Sequence, residues 1–119
     1  MVVDEVLRPD VKEADRLFHA LADATRRDIV RLVLQGEHSV SDLARRYPMS
    51  FAAVQKHVSV LERAGLVSKH PYGRERLVRG RIETVRTVNR LLEEFEVSWR
   101  ERMQRFGEVL AETEQGGRP

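Results

Sequence analysis

Between Ser50 and Arg63 lie the side chains best suited to hydrogen-bond another molecule. Val54, Val58 and Leu61 recur at i, i+4 and i+7, which predicts a helix with one apolar stripe. Its opposite face carries Ala52, Gln55, Lys56, Ser59 and Arg63. A polar face of short side chains on an anchored helix suits the major groove of DNA. That groove admits one helix, and each base pair there shows a distinct pattern of donors, acceptors and methyls. Gln55 can pair with adenine and Lys56 with guanine or a phosphate, while Phe51 or Ala52 can touch a thymine methyl. Ser50 and the free amides at the helix start suit a phosphate. His57 and Ser59 are within reach of the backbone, and Arg45 and Arg46 would clamp phosphates. Taken singly, Gln55 or Ser59 reads equally well as an exposed helical side chain.

A second basic cluster follows. Lys69, His70, Arg74 and Arg76 fall at or near the tip of a predicted hairpin. Arginine is favoured in a narrow minor groove, where the negative potential is enhanced, so Arg74 and Arg76 are the expected contacts there. Glu75 between them counts against this.

Short elements must position these groups. Asp10 and Glu13 have the spacing of a capping box, and Ala14, Leu17, Phe18 and Leu21 then recur at helical intervals. A second helix is expected from Asp23 or Thr25 to about Gly36, burying Ile29, Leu32 and Val33. A third, short helix opens at Ser39, buries Leu43 and Ala44, and stops at Tyr47-Pro48, because proline disfavours helix in the residue before it. Ser50 is placed to cap the fourth helix, and Gly65 suits its left-handed close. Leu66 to His70 and Arg76 to Gly80 read as two strands joined by residues 71–75. Helix, turn, helix and basic hairpin follow without spacers, which is the order of a winged helix-turn-helix.

From Arg81 to Glu112, Ile82, Val85, Val88, Leu92, Phe95, Trp99, Met103, Phe106 and Leu110 are separated by three or four residues. At 1.5 Å per residue such a helix is roughly 45 Å long, more than a domain this small can cover. An uncovered stripe of this kind marks an interface, and the same helix of a second subunit is its expected cover. Folding back on its own domain is the alternative.

Composition narrows the classes. The 119 residues make one domain, 41% apolar and 34% charged. There is no cysteine, so disulfides and thiolate metal sites are excluded. No apolar run approaches membrane-spanning length and no signal peptide is visible at the start, so a cytoplasmic location is expected. The net charge of +2 is unevenly spread: −2 over residues 1–38, +5 over residues 39–80 and −1 over residues 81–119. A polyanionic partner accounts for that pattern, as does an ordinary solvated basic surface. There is no nucleophile motif, phosphate-cradling glycine loop or paired-acid constellation near a histidine, so an enzyme is not expected.

At this point the sequence resembles the ArsR-type winged-helix repressors over roughly residues 11–110. The resemblance rests on Ala20-Leu-Ala-Asp-Ala-Thr-Arg-Arg27, Ser41-Asp-Leu-Ala44, Met49-Ser-Phe-Ala-Ala-Val-Gln-Lys-His-Val58, Val60-Leu-Glu-Arg-Ala-Gly-Leu-Val67 and Gly73-Arg-Glu-Arg76. It implies a homodimer, built from the first and last helices, that binds a pseudo-palindromic operator and represses transcription, often of its own operon. By position it implies Ser50, Phe51, Ala52, Gln55, Lys56 and His57 as groove contacts, and Arg74 and Arg76 as wing contacts. Many members sense metals through a cysteine pair or through histidines on the last helix. Residues 81–119 contain no histidine, and His19, His38, His57 and His70 sit in four different elements. The resemblance is therefore to a non-metal-sensing branch, with no metal and no cofactor expected.

The expected architecture is mainly α with a small β-hairpin wing and a long C-terminal dimerisation helix. Residues 10–80 form the DNA-binding domain, 81–113 the dimerisation helix, and 1–9 and 114–119 flexible ends. The expected dimer interface is Leu17, Leu21, Leu92, Phe95, Trp99, Met103 and Phe106. Leu17, Leu21, Phe95 and Trp99 would either line a cavity for an apolar small-molecule effector or serve as plain dimer core. The expected partners are double-stranded DNA and a second copy, with no membrane. A protein-interaction module docking a partner through the C-terminal helix is the alternative function.

Overall fold

The computed structural model describes residues 9–116. It divides into two units, one ending at Val88 and the other beginning at Asn89. Five helices and three short strands follow in the order α1 (Pro9–Leu21), α2 (Ala24–Gln35), β1 (His38–Ser39), α3 (Val40–Arg46), α4 (Phe51–Arg63), β2 (Val67–Tyr72), β3 (Glu75–Gly80) and α5 (Ile82–Gly116).

Caps set most of the boundaries. Asp23 accepts a hydrogen bond from the Arg26 amide at the start of α2, Ser39 one from Asp42 at the start of α3, and Ser50 one from Ala53 at the start of α4. Each satisfies an amide that the first turn leaves without an intrahelical partner. α1 begins at Pro9, so Asp10 lies inside the first turn and not at the cap. Proline suits that first position because its missing N–H is not needed there. α4 closes on Ala64 and on Gly65, whose φ of 80° is left-handed. The Thr84 hydroxyl then donates to the Gly65 carbonyl at 2.6 Å, and the Arg81 amide donates to Leu66 at 3.0 Å. These bonds tie the first turn of α5 to the end of α4.

The sheet differs from the expected two-stranded hairpin. β1 pairs antiparallel with β3, so the order is β1-β3-β2 and β3 is central. Two residues without alternation gave β1 no pattern to read. The hairpin is also tighter than expected. Tyr72 pairs with Glu75, leaving Gly73 and Arg74 as the turn. Gly73 has a φ of 61° and Arg74 has none above zero, the type II′ arrangement that matches strand twist. Pro71 is tolerated because β2 is an edge strand.

The core of the first unit is built from the inward faces of all these elements. Leu17, Ile29, Leu43, Val54, Val58, Leu61, Leu66 and Val78 are fully buried. On α2 the buried set is Ile29, Val30 and Val33, while the expected Leu32 is half-buried, as is Ala44 on α3. At the end of β3, Gly80 runs so close to α2 that a Cβ there would lie 2.7 Å from Leu34 Cδ2 and 3.1 Å from Leu34 Cα. Only glycine fits this approach.

The second unit is helix throughout its described length, residues 89–116. The helix continues to Gly116, past the expected limit at residue 113. Of the segments expected to be flexible, residues 1–8 and 117–119 lie outside the described residues. Among the described residues, no helix is long and apolar enough to cross a membrane.

Candidate nucleic-acid interface

The stripe of Val54, Val58 and Leu61 is wholly buried, which fixes how α4 is rotated about its axis. That rotation leaves Ser50, Phe51, Ala52, Gln55 and Lys56 exposed along the opposite side. Phe51 is 48% exposed, unusual for a phenyl ring at the start of a helix. The Ser50 hydroxyl oxygen already accepts the Ala53 amide at 3.1 Å, so only its proton remains to meet a phosphate.

The wing completes the site. A cleft of about 290 Å³ is lined by Phe51 and Gln55 of α4, by Lys69 of β2, and by Arg74, Glu75 and Arg76 of the hairpin. Residues expected in two separate elements thus share one concave surface. Lys69 is drawn toward α4 by Glu62, 3.5 Å from its Nζ. Arg79 pairs with Glu37 at 3.0 Å, away from the hairpin tip. Among the described residues, Lys56, Arg74 and Arg76 form no ion pair. Their charges are therefore uncompensated. Arg45 is held by Asp42 at 3.1 Å, and Arg46 is exposed. Ser59 is half-buried, which sets it back from the exposed edge.

His57 departs from its expected place among the groove contacts. Its side chain is only 21% exposed. Nδ1 lies 3.3 Å from Arg26 NH1 and 3.9 Å from Asp23 Oδ2, so the ring faces the body of the domain. Position 57 falls between the apolar stripe and the polar face, and a partner from α2 decides its direction.

That partner was not singled out in the sequence. Arg26 Nε donates to the Ala20 carbonyl at 2.6 Å and NH2 to His19 at 2.9 Å, while Arg27 NH1 donates to Leu21 at 2.8 Å. The two guanidiniums thereby satisfy the last carbonyls of α1. Two arginines in the first turn of a helix, where the macrodipole disfavours cations, are the signal that they serve another element. Asp23 sits beside them. The hydrogen bond from the Arg26 amide, with the nearby positive groups, holds its carboxyl below the usual value of 3.8.

A second tie joins α2 to the turn before α4. The Tyr47 hydroxyl donates to Asp28 Oδ2, and Arg31 donates to Asp28 Oδ1 at 2.6 Å. Tyr47 and Arg31 hold the Asp28 carboxyl below its usual value. Burial, then the Asp28 hydrogen bond, raises the Tyr47 hydroxyl above its usual value of 10.0.

The expected interface residues separate into two groups. Leu17 is fully buried in its own core, so it has no surface to give a partner. α1 turns Leu17 and Ala20 inward, and Val11 and Phe18 are its exposed apolar residues. Leu21 is half-buried and lines an apolar groove of about 280 Å³ with Leu34, Leu66, Val85 and Val88. In the second unit, Leu92, Phe95, Trp99, Met103 and Phe106 are all exposed, Phe95 by 68% and Trp99 by 57%. Among the described residues, no group of three or more His, Asp or Glu is placed to hold a metal ion.

Comparison with known proteins agrees with this geometry. The family model described as bacterial regulatory protein, arsR family, matches residues 23–69, from the α2 cap into β2. The HTH-type transcriptional regulator Rv2034 of Mycobacterium tuberculosis is 44% identical over 66 residues, covering 56% of this chain and 62% of that protein. The transcriptional repressor SdpR of Bacillus subtilis is 30% identical over 59 residues, covering 50% of this chain and 66% of that protein. The chain thus spans a little under two thirds of the length of each. A solved ArsR-like transcriptional regulator from Rhodococcus sp. RHA1 superposes with a TM-score of 0.73 at 32% identity, over 82% of this chain and 92% of that one.

Proposed function

This chain belongs to the ArsR family of bacterial regulatory proteins, and from that premise we propose that it is a dimeric, sequence-specific DNA-binding regulator of transcription. Repression of a pseudo-palindromic operator is the expected outcome, with the cytoplasm as its place of action. The observation that carries this reading is the cleft in which Phe51 and Gln55 of α4 meet Arg74 and Arg76 of the wing.

In this reading α4 enters the major groove. Gln55 and Phe51 read base edges, Ala52 packs against a thymine methyl, and Lys56 takes a guanine or a phosphate. Ser50, Ser59, Arg45 and Arg46 contact the sugar-phosphate backbone and set the register. Arg74 and Arg76 enter the adjacent minor groove. The exposed stripe Leu92, Phe95, Trp99, Met103 and Phe106 packs against its copy in a second chain, because an apolar patch of that extent is costly to leave in water. Val11 and Phe18 of α1 replace Leu17 in that contact.

Titration of a recovered operator duplex with variants tests the contact set. Lys56→Ala and Arg76→Ala weaken binding to all sequences and lower the salt slope by about one each, whereas Gln55→Ala relaxes discrimination at one base pair by about 1–3 kcal/mol. Unchanged affinity and selectivity in all three variants would remove the assignment.

A further inference from the structure

Arg26 stands at the meeting point of three helices. Its guanidinium donates to the carbonyls of His19 and Ala20 at the end of α1, its own backbone amide is capped by Asp23 at the start of α2, and NH1 faces His57 Nδ1 in the middle of α4. Two bonds to fixed backbone carbonyls leave the planar group little freedom. An arginine cannot accept a hydrogen bond, so the contact at 3.3 Å requires an unprotonated Nδ1 on His57. The imidazole is thus the neutral tautomer with its proton on Nε2.

Resting on the DNA-binding reading above, we propose that Arg26 is a positioning residue for DNA recognition. It acts through His57 to fix the rotation and depth of α4 relative to the α1–α2 elbow. Base readout needs side chains placed within a fraction of an ångström, and that demands support from behind the contact face. The buried stripe allows some sliding, since apolar contacts are non-directional. A directional hydrogen bond at His57 removes it. Gln55 and Lys56 sit immediately before His57 on the same turn, so a shift of the ring is a shift of both contacts. Loss of Arg26 would also strand a half-buried ring nitrogen without its partner.

The two ring nitrogens make the test specific. In an asparagine the side-chain oxygen falls close to the place of Nδ1, whereas the end of a glutamine reaches the place of Nε2. Arg26→Met and His57→Leu should each weaken binding to a duplex enriched from a random library by about five- to tenfold. The double variant should bind no worse than the weaker single one, because both remove one interaction. His57→Asn should recover most of the affinity lost in His57→Leu, and His57→Gln should not. Helix propensity favours glutamine over asparagine, so this ordering runs against the background preference. Recovery by glutamine and not asparagine would mean that His57 touches DNA through Nε2, and would overturn the proposal. Multiplying losses in the double variant would overturn it as well. Amide exchange across α4 in the free protein separates this inference from the DNA reading. It should be faster in Arg26→Met than in the unaltered chain. If the unaltered chain enriches no duplex, the DNA reading falls alone. Unchanged exchange in Arg26→Met overturns the positioning role in either case.

Discussion

Tyr47 and Asp28, 19 positions apart, are joined by a 2.7 Å hydrogen bond from the phenol hydroxyl to Oδ2. The bond fastens the turn ahead of α4 to the middle of α2. Because the tyrosine ring is half-buried, the hydroxyl has few other partners. Tyr47→Phe keeps the ring and removes the bond. It should lower unfolding stability by roughly 1 kcal/mol, read as a lower urea midpoint with an unchanged slope. An unaltered midpoint would show that the bond contributes nothing net.

The same pair predicts two pH limbs. Asp23 and Asp28 titrate below the usual carboxylate value of 3.8 in the folded chain. Their contribution is present above that value and is lost as pH falls through their lower folded values. Asp28→Asn should therefore flatten the acid limb of a stability-against-pH curve. Tyr47 titrates above its usual value of 10.0. Its contribution is complete below pH 10 and is lost as pH rises beyond it, and Tyr47→Phe should remove that alkaline loss. Parallel curves for the variants and the unaltered chain would contradict both assignments.

What the sequence disclosed and what it hid have physical reasons. The α4 stripe, the Ser50 cap, the Gly65 close and the basic hairpin are local patterns with periods of 3.6 or 2, and all are visible in one chain read in order. The third strand is two residues long and exists only because β3 pairs with it, so nothing local announces it. Leu17 and Phe18 are adjacent apolar residues, and periodicity alone does not say which one faces its own core. The orientation of His57 depends on Arg26, 31 residues away. Contacts of that range follow from the packing of three helices and leave no trace in spacing.

Gly80 offers a test of the packing itself. A methyl group there would meet Leu34 at 2.7 and 2.9 Å through its side chain and at 3.1 Å through its Cα. Gly80→Ala should cost about 1–3 kcal/mol, as other overpacked sites do. Adding Leu34→Ala should return part of that loss, since two of the three close atoms belong to its side chain. No rescue by the second change would place the strain in the backbone contact alone.

The exposed stripe on α5 predicts the oligomeric state. Trp99→Asp places a charge among Phe95, Met103 and Phe106 of the same face. Sedimentation should show the unaltered chain as a dimer at micromolar concentration and the variant as a monomer with its helix content kept. An unaltered chain that sediments as a monomer would favour the alternative reading, in which the stripe docks a different protein.

The account stands most directly on selection of bound duplexes from a random DNA library, followed by affinity measurements on the recovered sequence at two salt concentrations. Enrichment of an inverted repeat, with half-sites about one helical turn apart, is the predicted result. It should be bound more tightly than a scrambled duplex at both salts. Recovery of unenriched DNA, with affinity that collapses as salt rises, would contradict the account and leave only a basic surface.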